Sequence, residues 1–138
     1  MKLGKHSKLL IFNSFYEYGV SKEHALIMYA YLVGGLNQGS FMTSLLANDA
    51  QTMLQRSHPS NSITDLKLLA VWLANRGHGI FHGSYQAVNR WVNTPEDERR
   101  KILEKMRLIY AEQDEIMMEL KDTPSITDWY HILSEHQK

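Results

Sequence analysis

Three histidines, His58, His78 and His82, are the residues here best suited to hold a metal, since neutral imidazole is a common ligand for zinc and related cations. His78 and His82 stand four apart, a spacing that shares one face of a helix. Gly77, Gly79 and Gly83 make the segment a loop, however, and in a loop that spacing fixes no geometry. No His-Glu-x-x-His pattern accompanies them. A metal-assisted hydrolase on these three histidines is therefore the weakest of the readings, and neither a metal nor another cofactor is assigned. Ser40 and Ser84 each follow a glycine, but neither sits in a Gly-x-Ser-x-Gly elbow after a strand, and helix capping explains both. Helix starts at these two serines would present free amides to a small anion such as a nucleotide signal, with Arg56, Arg76, Arg90, His78 and His82 supplying charge. Asp49 and Arg56, seven apart, fall two turns along one helical face, and Asn61 can close the following turn. That structural reading is preferred to a direct ligand role. No catalytic residue is assigned, and the chain is read as a binding protein rather than an enzyme.

The elements that must position these groups are helical throughout. Apolar residues recur at three and four, strand-like alternation is brief, and Pro59, Pro95 and Pro124 fall at breaks. The expected fold is all-α, a compact bundle of about six to seven helices forming one domain over 1–138. A first helix runs from about Lys5 to Tyr18, burying Leu9, Phe12, Phe15 and Tyr16, with Gly19 at its stop. Ser21 caps a second that ends at Gly34-Gly35. Ser40 caps a third, carrying Phe41, Leu45, Leu46, Met53 and Leu54. Ser62-Ile63-Thr64-Asp65 forms a capping box for a fourth, which stops near Gly77, and Ser84 opens a short fifth with Val88, Trp91 and Val92.

Thr94-Pro95-Glu96-Asp97 then starts a long helix over 95–121, with a cap, a first-turn proline and carboxylates at the positive end of the dipole. Ile102, Met106, Ile109, Gln113, Ile116 and Leu120 trace a heptad seam along it. Its length exceeds what a domain this size buries, which suits a homodimer through the helix. A final helix is expected after Ser125-Ile126-Thr127-Asp128, with Trp129, Ile132 and Leu133 inward.

The chain has 138 residues, with 15 basic and 15 acidic side chains, so no overall field draws in nucleic acid or an anionic membrane. Cysteine is absent, which removes disulfides and thiolate chemistry and suits the reducing cytoplasm. The basic start at Met1–Lys8 is followed by a short apolar run broken at Asn13, Ser14 and Glu17, and the run from Ala25 to Leu36 is too short for a bilayer. Neither is read as a signal peptide or a membrane span.

Gly39-Ser40-Phe41, Leu46-Ala47-Asn48-Asp49, Arg56 with Asn61, Asn75, Gly83-Ser84, and Val88 with Trp91 together resemble a recurring pattern in a family of short bacteriophage and prophage helical proteins. The separations between blocks agree as well, and residues 39–92 form the family-like core segment. His58 stands where that family has an aspartate, and Phe81-His82 where it often has Cys-Trp. The resemblance implies a phage origin and action inside an infected bacterium. Small phage proteins without a catalytic constellation usually act stoichiometrically, so the expected partner is a host or defence protein. Arg99 and Lys105 on the long helix, with the His78–Ser84 loop, are the expected contact residues.

Overall fold

The structure is a computed structural model that describes residues 1–37, 39–56, 63–77 and 79–121. Among the described residues the chain is helical, without strands: α1 Lys5–Glu17, α2 Lys22–Leu32, α3 Ser40–Leu46, α4 Ala50–Arg56, α5 Ile63–Arg76, α6 Tyr85–Val92, α7 Glu96–Lys105 and α8 Glu112–Lys121. No described helix is long and apolar enough to cross a membrane. The helix expected after Ser125 and the capping serine Ser62 lie outside the described residues.

Aromatic side chains tie the early helices together. Phe12 of α1 stacks on Tyr29 of α2 at 4.8 Å, and Phe15 tilts against Trp72 of α5 at 4.7 Å. The buried indole N–H of Trp72 donates to Ser14 Oγ at 3.0 Å, so the largest side chain of α5 enters the core with its polar atom satisfied. Ile11, Met28, Leu32, Leu69, Leu103 and Leu108 are also fully buried, forming one apolar cluster from α1 to the turn after α7. Tyr16, expected in the core, is instead 58% exposed, because Ile11 and Phe15 take the inward positions of that turn.

Several starts and stops follow the sequence. Ser21 Oγ accepts from His24 N, and Ser84 Oγ accepts from Ala87 N. Gly19, at φ +73°, closes α1 while the Val20 amide donates to Phe15 O.

Two expected continuous helices are broken. The expected third helix divides at Asn48, which takes φ +62°, while Asn48 N and Asp49 N donate back to Leu45 O and Ser44 O. Asp49 then caps α4 through its carboxylate, which accepts from Thr52 N at 3.2 Å. The expected 95–121 helix divides at Arg107, at φ +60°, with Arg107 N donating to Glu104 O and Leu108 N to Leu103 O. Both stops share the left-handed closure usually made by glycine. Leu103 and Leu108, both fully buried, supply the apolar contact that accompanies it.

Two caps also differ from expectation. Helix α3 begins at Ser40 itself with Gly39 in the cap position. Pro95 holds the cap position of α7, and the Thr94 hydroxyl donates to Arg90 O at the end of α6. The three carboxylates Glu96, Asp97 and Glu98 do fall in the first turn of α7.

Candidate functional site

Two of the sequence blocks that resemble the phage pattern, Leu46–Asp49 and Gly83–Ser84, meet at one corner. The Gly83 amide donates to Leu46 O at 2.7 Å, joining the approach to α6 to the end of α3. Gly83 has φ +106°, a conformation that side chains rarely adopt. Beside this contact the Tyr85 hydroxyl donates to Asp49 Oδ2 at 2.6 Å. That hydrogen bond, with those from Thr52, holds the Asp49 carboxyl below the usual carboxylate range, and the Tyr85 phenol is pushed up in turn. Deeper in, the Tyr31 hydroxyl donates to Phe81 O at 2.6 Å, and Trp91 Nε1 donates to Tyr31 O at 3.0 Å. Phe81 meets Trp91 edge-on at 5.4 Å, and burial raises the Tyr31 pKa.

The polar groups described in this corner serve the fold. Asn48 turns the chain, Asp49 and Ser84 cap helices, and Trp91 and Tyr31 satisfy buried carbonyls. The Asn75 amide donates to Val71 O within its own helix. The corner is a structural joint built on helix ends. Ser84 Oγ accepts from the Ala87 amide, and α3 is a short helix of seven residues.

The remaining expected site residues fall in different places. His58, Asn61 and His78 lie outside the described residues, as do the side chains of Ser40 and Arg56. His82 is half-buried against Phe81, with ring centres 5.5 Å apart, and its Nε2 closes on Gly77, where a Cβ would meet it at 2.7 Å. Among the described residues no three His, Cys, Asp or Glu side chains are grouped to hold an ion.

Arg99 corrects the expectation of an exposed contact residue, for it is only 7% exposed. Its guanidinium donates to Thr94 O at 2.5 Å and reaches Val33 O at 3.4 Å, while Gly35 leaves room for it: a Cβ there would lie 2.8 Å from Arg99 Cζ. Arg99 thus ties α7 to the end of α2. Lys105 is exposed, as expected, and lies with Lys101 around half-buried Ile102.

The seam expected along 95–121 is split by the turn. Ile109 is buried and Ile102 and Met106 are half-buried, whereas Ile116 and Leu120 on α8 are 58% and 79% exposed. Met117 beside them is 53% exposed. Glu112, Asp114 and Glu119 stand around this apolar group and are exposed as well.

One cluster is not apparent from sequence. The mostly buried Arg100 pairs with Glu104 at 3.2 Å and with Glu112 and Glu115 at 3.5 Å. Glu115 also accepts from the Ser7 hydroxyl and from Gly4 N, and Ser7 Oγ accepts from Tyr110 N at 3.0 Å. Only the Arg100–Glu104 pair, at i,i+4, has a local signature; the rest requires the turn between α7 and α8. Its partners neutralise and fix Arg100, so the cluster docks α8 on α1.

No protein-family model, curated protein or solved structure matches this chain.

Proposed function

We propose that this is a small phage accessory protein that works by stoichiometric binding to a host or defence protein in the cytoplasm of the infected bacterium. The observation that carries the reading is the exposed apolar group Ile116, Met117 and Leu120, rimmed by acidic side chains on α8. An apolar centre with a charged rim is how protein contact surfaces are usually arranged. Lys101 and Lys105 around Ile102 give α7 a second exposed patch of opposite charge. The phage setting rests on the resemblance of the motif blocks within residues 39–92. Arg99 is left out of the contact, since it is buried and its two terminal nitrogens donate to carbonyls inside the fold.

The test is quantitative capture from a bacterial lysate, followed by reconstitution with the purified partner. Wild-type protein should form a complex of fixed stoichiometry with one partner. Ile116→Glu with Leu120→Glu should abolish it, and Lys105→Glu should weaken it. Absence of a stoichiometric complex, or one indifferent to all three changes, would overturn the proposal.

A further inference from the structure

Residues of α1, the end of α5 and the turn after α7 line an open pocket of about 380 Å³. Its polar lining is Asn13, Ser14, Glu17, Tyr18, Arg76 and Arg107. We propose that this pocket binds a small soluble phosphomonoester. The inference is independent of the protein-partner reading and uses none of its surface.

Four observations point to an anion. First, two arginines share the pocket, and neither forms an ion pair among the described residues, although Glu17 lines the same space. Second, Arg76 Nε is buried without a hydrogen-bond partner, an arrangement that leaves a desolvated donor unmatched unless something else occupies the site. Third, Ser14 Oγ already accepts from Trp72 Nε1, so its own hydrogen remains to be donated, and the buried indole fixes where the hydroxyl sits. Fourth, Arg107 holds a left-handed backbone conformation at which glycine is the ordinary residue. A glycine would serve that turn better, whereas the arginine brings a second guanidinium to the pocket.

The chemistry selects among anions. Two guanidinium groups match the double negative charge of a phosphomonoester, and their planar forks suit phosphate oxygens. Ser14, Asn13 and Tyr18 add neutral donors. Glu17 disfavours a bare anion and suits a ligand with an amino or hydroxyl donor beyond the phosphate. The pocket volume lies in the range of small-ligand sites, about 300–1,000 Å³.

Thermal unfolding of the full chain at low salt, with inorganic phosphate, adenosine monophosphate and adenosine as probes, tests the proposal. The monophosphate should raise Tm by about 2–4 °C at millimolar concentration, inorganic phosphate by less, and adenosine not at all. Salt should erode the shift. Arg76→Gln with Arg107→Asn, which keeps a residue tolerant of the left-handed turn, should weaken binding by at least about tenfold in calorimetry. Should that double variant fail to fold, Arg107→Gly provides the decisive case, because it suits the backbone while removing the side chain that carries the guanidinium. A shift that survives Arg107→Gly undiminished, no response to either phosphate probe, or binding only to vesicles containing phosphatidic acid would each overturn the proposal.

Discussion

His24 shows what burial does to a single titratable group. It is 3% exposed at the start of α2, and its Nδ1 has no hydrogen-bond partner. Desolvation lowers its pKa below the usual 6.5, with Glu23 and Asp65 opposing the shift only in part. The folded state therefore holds the proton less tightly than the unfolded chain. The corresponding stability is fully present above 6.5 and is lost as pH falls through the interval down to the folded pKa. His24→Leu removes this linkage, so Tm measured from pH 7.5 to 5.5 should fall less steeply in the variant than in wild type; equal slopes would show that His24 titrates normally. Arg107 makes the converse case for the backbone. Its φ of +60° costs about 1 kcal/mol that glycine would not incur. Arg107→Gly should raise Tm by a few degrees in plain buffer while diminishing the phosphate response, which separates the stability of the turn from the use of its side chain.

At the scale of the helices, α8 is held by polar rather than apolar contacts. Its inward residue is Glu115, which receives the Ser7 hydroxyl, the Gly4 amide and Arg100. Removing that carboxylate leaves several buried donors unmatched, a loss of about 2 kcal/mol. Glu115→Ala should therefore raise amide hydrogen exchange across 112–121 well before α2 or α5 is affected; uniform loss of protection would mean that α8 does not open by itself. The same helix shows how far the sequence could be read. Apolar spacing located the helices, and the glycine at Gly19 and the serines at Ser21 and Ser84 marked ends that the structure shares. The breaks at Asn48 and Arg107 were hidden because left-handed closure was made by residues other than glycine, within spacing that fits an uninterrupted helix. Once the second break is missed, Arg100 cannot be brought to Glu112 and Glu115, nor Arg107 to Arg76. In the candidate sites, Ser84 was legible because capping is a local act, whereas Asp49, read as lying on one helical face with Arg56, instead caps α4. Arg99 was misplaced because its acceptors lie on Val33 and Thr94, and only the fold makes it an interior residue.

For the whole molecule, the question is what the exposed side of α8 does with its apolar residues. Ile116, Met117 and Leu120 lie on a helix whose other side is occupied by the Glu115 network, so the group cannot turn inward without breaking those hydrogen bonds. Burying three such side chains against a second surface contributes at most about 1.5–3 kcal/mol each. Association costs several kcal/mol in lost translational and rotational freedom, which leaves little net affinity for so small a patch alone. The acidic rim of Glu112, Asp114 and Glu119 further opposes a like-charged copy. Self-association through α8 should consequently be weak, appearing in sedimentation only at about 100 μM or above and strengthening with salt as the repulsion is screened. A cognate partner with basic residues around an apolar groove should bind more tightly and weaken with salt. Ile116→Glu with Leu120→Glu should remove both associations and leave Tm unchanged, because the side chains are exposed in the free protein. A marked drop in Tm would instead show that the chain uses this face itself, and a tight dimer at low salt would make the second copy its proper occupant.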